Sequence, residues 1–173
     1  MQLELYFLRS SESKIVSDML KYAYTLDELN IELKNVPQLK KMSDFYGLTS
    51  KDLGLYAMFE KKVVGAIWSR ELDGNTPQIS IAVLPAFRRQ GIASQIMEQF
   101  LQEAGQVYKK IEVHLFADAD AIHFYKKFGF TTEKNKHKES LINASQIITM
   151  SKTLQLKEVL RPSDGYDASY WIE

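Results

Sequence analysis

Two adjacent arginines precede a glycine in the run Arg88-Arg89-Gln90-Gly91-Ile92-Ala93. Residue types in that order suit one task, holding phosphate. Arginine forks match phosphate oxygens, and a glycine lets a ligand come close to the backbone. The flanks strengthen the case. Ile79 to Val83 is a short apolar run that ends at Pro85, and Ile92, Ile96, Met97, Phe100, Leu101 and Ala104 recur at helical spacing. Gly105 stands where a C-terminal cap is expected. The stretch therefore predicts strand, basic turn, helix, and the free amides and positive dipole end of such a helix attract anions. A nucleoside-triphosphate loop needs Gly-Lys-Ser/Thr and a dinucleotide loop needs three glycines; neither is present. A basic turn capping an ordinary helix is the bland alternative.

Other side chains with chemical potential are scattered. Glu112 and His114 lie two apart in the alternating run Lys110 to Phe116, so they share one face of a predicted strand. They are candidate general bases, or a solvated polar face. Trp68 and Arg70 share a face of the run Val63 to Arg70 and could meet an acceptor; a packed Trp and a surface Arg is the other reading. The chain has no cysteine, so it has no thiol nucleophile, disulfide or cysteine-ligated zinc. His114, His123 and His137 lack metal-ligand spacing, and no metal is expected. Lysine and arginine number 22, as do aspartate and glutamate. That balance argues against a nucleic-acid partner. No apolar run approaches about 18 residues and no basic-then-apolar leader opens the chain, so the expectation is a cytoplasmic protein without a membrane partner.

The elements that would position these residues follow from periodicity. Leu3 to Leu8 reads as a strand. Ile15, Val16, Met19, Leu20 and Ala23 give a first helical face. Thr25-x-x-Glu28 has capping-box spacing and predicts a further helical start. Pro37 suits a first helical turn, with Leu39, Met42 and Tyr46 as its inner face up to Gly47. Leu55 to Glu60 and Val63 to Arg70 predict a hairpin through Lys61-Lys62, and Asp73-Gly74-Asn75 predicts a turn. Gln78 to Leu84 is the strand before the basic turn. Ala119 to Phe128 is a helix closed by Gly129, and Phe130 to Thr132 and Ser145 to Lys152 complete the set. The expected fold is mixed α/β, a central sheet flanked by helices. At 173 residues it is a single domain, 1–173.

Three features together resemble the GCN5-related N-acetyltransferases, the GNAT family. Arg88-x-x-Gly91-x-Ala93 is similar to its pyrophosphate loop. Ala121 to Phe130, AIHFYKKFGF, is similar to its Ala-x-x-Leu/Phe-Tyr-x-x-x-Gly-Phe signature. The element order matches, with the loop after the fourth strand. Gly54, Gly65 to Trp68, Arg70, and Thr149-Met150-Ser151-Lys152 also look like family segments. The resemblance spans about residues 3–154 and leaves 155–173 as an extension. It implies a mostly antiparallel sheet whose fourth and fifth strands run parallel and splay apart around acetyl-CoA.

By that resemblance, the backbone amides of the turn Arg88, Arg89, Gln90, Gly91, Ile92, Ala93 and Ser94, with the two arginine side chains, would hold the pyrophosphate. Ile81, Ala82 and Val83 would pair with the pantetheine arm, and the Val83 amide would polarise the thioester. Tyr125 falls on the family's tyrosine, the expected general acid; without the motif it reads as a core aromatic. Asp27, Glu28 and Tyr46 fall where the family often builds its acceptor wall. Many members place an Asn just before the fifth-strand helix, where it contacts pantetheine. Here residues 118–120 read Asp118-Ala119-Asp120, so Asp118 can accept a hydrogen bond but cannot donate one. The function expected is acetyl transfer from acetyl-CoA to a primary amine, a small molecule or a peptide, by direct attack. A non-catalytic acyl-CoA-binding module is the alternative. Tyr166, Tyr170 and Trp171 in the extension would pack on the domain, cover the acceptor cleft, or dock on a second copy as a homodimer.

Overall fold

The computed structural model describes residues 2–48, 51–72, 76–117, 119–133, 141–142 and 145–155. The expected turn at Asp73-Gly74-Asn75, Asp118, His137 and the aromatic extension beyond residue 155 lie outside them. The elements run β1 (Glu4–Phe7), α1 (Ser13–Leu20), α2 (Pro37–Lys40), β2 (Gly54–Phe59), β3 (Lys62–Arg70) and β4 (Gln78–Val83). After these come α3 (Ile92–Ala104), β5 (Lys110–Phe116), α4 (Ala119–Lys127), β6 (Thr131–Thr132), β7 (Leu141–Ile142) and β8 (Ser145–Thr153).

The sheet order is β1-β2-β3-β4-β5-β8-β6, with β7 paired to β8. Every pairing is antiparallel except β4 with β5. That parallel pair holds a single register position, Gln78 beside Glu112, and the strands part beyond it. The expected mixed α/β class and splayed fourth and fifth strands are thus the fold observed.

Apolar alternation places the two halves of the core. Ile79 and Val83 of β4, with Ile111, Val113 and Leu115 of β5, pack under Ile92, Ile96, Met97 and Phe100 of α3. Ala82 and Trp68 face the other way, onto Val16, Met19 and Leu20 of α1. Gly65 permits the α3 packing: a Cβ there would lie 2.8 Å from Ile96 Cδ1.

Three local expectations need correction. The Thr25-x-x-Glu28 spacing opens no α-helix; Ala23–Thr25 is one 3-10 turn followed by hydrogen-bonded turns. The Glu28 carboxylate is drawn outward to Arg88, away from the backbone amide a capping box would bind. The hairpin turns at Glu60-Lys61, one residue earlier than expected, with φ of 48° and 64°. That double left-handed geometry is the turn whose twist matches a tight hairpin. Gly105, by contrast, is the C-cap of α3 as expected, with a right-handed φ of −62°. The face Leu39, Met42, Tyr46 is buried, but the α-helix there covers only Pro37–Lys40.

Candidate active site

The strand-turn-helix stretch folds so as to leave donors unpaired. α3 begins at Ile92 with Gly91 as its N-cap at φ 81°, and no side chain caps it. Gln95 N–H reaches Gly91 O at 3.1 Å, the first backbone bond of the helix. Among the described residues the amides of residues 89–94 have no backbone acceptor. A Cβ built at Gly91 would meet nothing within 4 Å. Backbone donors, a left-handed glycine and open space together make a cradle for an anion.

The cradle forms one end of a cavity of about 340 Å3. Its walls are the end of β4 (Ile81, Ala82, Val83), the end of β5 (Leu115, Phe116), the turn, the start of α3 and the inner side of α4. The ladder phase shows which β4 groups face it. Leu84 N–H donates to Val64 O on β3, and Glu112 N–H on β5 donates to Pro77 O. Even positions therefore serve β3, and the backbone groups of Ile79, Ile81 and Val83 point toward the parted β5 edge. An extended ligand can pair with that edge as an added strand.

Tyr125 enters from α4. Its ring is 5% exposed and meets Phe124 and Phe130 edge-on, each at 5.3 Å. Its hydroxyl has no hydrogen-bond partner among the described residues. Burial, with a smaller push from the neighbouring Tyr24, raises its pKa above the ordinary phenol value. The phenol therefore stays protonated and can donate.

The two arginines have separate roles. Arg88 Nε donates to Val83 O at 3.2 Å, and its terminal nitrogens bind Asp27 Oδ1 and Oδ2 and Glu28 Oε1, each at 2.9 Å. It also reaches Tyr22 O at 3.4 Å. Burial works against its charge, but the two carboxylates outweigh it and hold its pKa above the ordinary value. Arg88 fastens residues 22–28 to the turn. Arg89 lines the cavity, is exposed and carries no ion pair among the described residues.

Of the other expected site residues, Ile81, Ala82, Val83, Gly91, Ile92, Ala93 and Ser94 do line the cavity. Gln90 is exposed and does not line it; its side chain donates to Ala86 O. Asp27 and Glu28 sit at the rim, engaged by Arg88. Glu112 and His114 pair with each other at 3.3 Å near the closed end of β4 and β5, away from the cavity lining. Tyr46, Trp68 and Arg70 are not brought to the site. Tyr46 donates to Leu8 O, and Trp68 Nε1 donates to Met42 O at 2.7 Å. Arg70 is buried against Asp52 and binds the carbonyls of Lys41 and Asp44. Alternation had placed Trp68 and Arg70 correctly on one face; that face is filled by the Leu39–Gly47 segment.

Two tyrosines of the cavity, Tyr22 and Tyr24, escaped the sequence reading. Tyr24 lines it beside Tyr125, and its hydroxyl bonds Ser80 Oγ and Ile79 O. No motif marks it, because it stands in a short irregular segment.

Residues 51–132 match the family model described as the acetyltransferase (GNAT) domain. No curated protein matches the chain by sequence. Solved structures match by fold. The ribosomal-protein-S18-alanine N-acetyltransferase of Escherichia coli is 14% identical with a TM-score of 0.64, over 92% of this chain and 98% of that one. The spermidine/spermine N-acetyltransferase of Vibrio cholerae is 17% identical with a TM-score of 0.63, over 88% and 92%. An IAA acetyltransferase of Bacillus cereus is 19% identical with a TM-score of 0.61, over 88% and 100%.

Proposed function

We propose, from the match of residues 51–132 to the GNAT acetyltransferase domain model, that the chain transfers the acetyl group of acetyl-CoA to a primary amine. The observation that carries this reading is the placement of two unsatisfied donor sets along one cleft. The amides before and at the start of α3, without backbone acceptors among the described residues, lie at one end, and the Tyr125 hydroxyl, without a hydrogen-bond partner among them, lies along the wall.

The amides of residues 89–94, with Arg89, would hold the pyrophosphate. Ile81 and Val83 would pair with the pantetheine arm, and such alignment contributes up to about 7–11 kcal/mol in the best cases. The thioester supplies an activated acetyl group. Transfer forms one C–N bond and breaks one C–S bond. The Val83 amide is aimed at the cleft and would stabilise charge on the carbonyl oxygen. Tyr125 gives its proton to the departing sulfur and recovers one from the amine through water. With no cysteine in the chain, direct attack is the route. The acceptor class is a small amine or a peptide amine, as in the named polyamine and ribosomal-protein enzymes of this fold.

The test measures thiol release from acetyl-CoA with spermidine and with an alanine-ended peptide, and thermal unfolding with and without acetyl-CoA. Ligand at about a hundred times its dissociation constant adds about 2.7 kcal/mol. Tyr125→Phe should keep that stabilisation and lower turnover at least about tenfold. Stabilisation without any thiol release would point to an acyl-CoA-binding module.

A further inference from the structure

The cleft ends short of the point where β4 and β5 meet. Of the six β4 residues, Ile81, Ala82 and Val83 line the cavity, and Gln78, Ile79 and Ser80 do not. The two strands are in register at Gln78 and Glu112, and Glu112 N–H donates to Pro77 O beside that position. Ile79 and Ser80 lie between this closed pair and the open lining. One side chain covers both: the Tyr24 hydroxyl donates to Ile79 O at 3.3 Å and bonds Ser80 Oγ. Tyr24 itself lines the cavity. Its ring therefore stands across the end of the cleft, away from the cradle at Gly91. A coenzyme with its pyrophosphate in the cradle and its arm along β4 would bring its acyl end to this ring.

The ring is held there. Ser80 is fully buried, so swinging the phenol away would strip a bond from a buried hydroxyl. The ring also packs against all three apolar clusters of the protein. Its backbone has φ 59° and ψ 17°, a left-handed conformation that a side-chain-bearing residue holds only when its surroundings insist. Arg88 supplies part of that constraint, gripping Tyr22 O on one side of Tyr24 and Asp27 and Glu28 on the other. The remaining walls near this end, Leu115, Phe116 and Tyr125, are buried apolar or aromatic side chains. Interiors packed in this way yield little to an added methylene.

We propose that the Tyr24 ring is the acyl-length stop of the cleft: it limits the donor to short acyl thioesters, acetyl first, and turns away straight chains of four carbons or more. This rests on the acetyl-CoA reading above. The hydroxyl serves to anchor the ring; the ring itself is what the acyl group meets. Tyr24 takes no part in bond making. The space it occupies is surrounded by apolar side chains of the three clusters, so a longer alkyl chain would be accepted there once the ring is gone. One extra methylene in a fitted apolar pocket changes recognition by about ten- to two-hundredfold.

The discriminating variant is Tyr24→Gly, which removes the ring and suits the left-handed φ. Tyr24→Phe is its counterpart, removing the hydroxyl and keeping the ring. Dissociation constants for CoA, acetyl-CoA, butyryl-CoA and hexanoyl-CoA are measured by calorimetry on the wild type and both variants. Binding requires no acceptor, so the amine need not be known. The quantity read is the ratio of the hexanoyl-CoA constant to the acetyl-CoA constant. In the wild type it should be at least about ten. Tyr24→Gly should lower it at least about tenfold, with butyryl-CoA following, and Tyr24→Phe should keep the wild-type ratio. A wild-type ratio near one overturns the proposal, as does a wild-type ratio retained in Tyr24→Gly. A ratio lost equally in Tyr24→Phe overturns it too, since the ring would then not be the stop. If Tyr24→Gly does not fold, Tyr24→Leu, which shortens the side chain and keeps it apolar, decides by the same ratio. A wild type that binds neither CoA nor acetyl-CoA overturns the coenzyme reading, and the stop with it.

Discussion

Residues 54–132 and residues 13–48 wall the same cleft by different means. The first region is long strands and a thirteen-residue helix, α3, whose apolar positions repeat at period two or 3.6. The second has one helix of eight residues, α1, and then 3-10 turns and a four-residue helix. Backbone ladders position the cradle and the β4 edge in the first. In the second, side chains of the first region do the positioning: Arg88 holds residues 22–28, while Trp68 and Arg70 hold Met42, Lys41 and Asp44. Regular structure forms the anion cradle and the open β4 edge proposed for the coenzyme. The irregular segment, pinned by a few buried donors, shapes the side on which an acceptor would arrive.

That contrast can be broken most severely at Arg70. Arg70→Ala leaves Asp52 buried without its cation and frees two carbonyls of the 41–44 segment. A loss of about 3–5 kcal/mol is expected, read by urea unfolding. A loss below about 1 kcal/mol would mean the segment holds itself. Next comes Gly91→Glu, which puts a carboxylate and a strained φ into the cradle. It should abolish the stabilisation of about 2.7 kcal/mol by saturating acetyl-CoA. Arg88→Ala sharpens the comparison further. Removing its charged hydrogen bonds should cost about 1–3 kcal/mol of stability in the absence of ligand. Part of the acetyl-CoA midpoint shift should survive, because backbone amides and Arg89 remain. Complete loss of the shift, as in Gly91→Glu, would make Arg88 a phosphate ligand after all. The smallest effect belongs to the β2–β3 turn, where Lys61→Gly relieves a left-handed φ of 64°. It should raise stability by about 1 kcal/mol, seen as a higher midpoint with unchanged ligand response.

Legibility followed the same division. The turn Arg88 to Ala93, the α3 stripe and the α4 aromatics could be read because each depends on neighbours within one element. The hairpin shifted by one residue, since Glu60 and Lys61 carry none of the glycine or asparagine that usually marks such a turn. Asp27, Glu28 and Arg88 were each picked out, but as ligands of different molecules. Their mutual pairing joins positions about sixty residues apart in the chain, and spacing carries no information about it. Tyr24 had no signal at all: its place depends on a left-handed backbone inside a 3-10 turn, which no periodicity encodes.

By itself, then, the sequence determined the order of elements and the glycine-marked turn, because hydrophobic period, glycine and helix-terminus physics act locally; the splayed strands were implied by the family resemblance. Only the tertiary structure decided, among the described residues, which arginine is without an ion pair, which acidic residues are already spent, and which tyrosines reach the cleft. Those outcomes depend on charges and hydroxyls meeting across long loops, where the cost of burying an unpaired polar group selects partners that the chain does not place side by side.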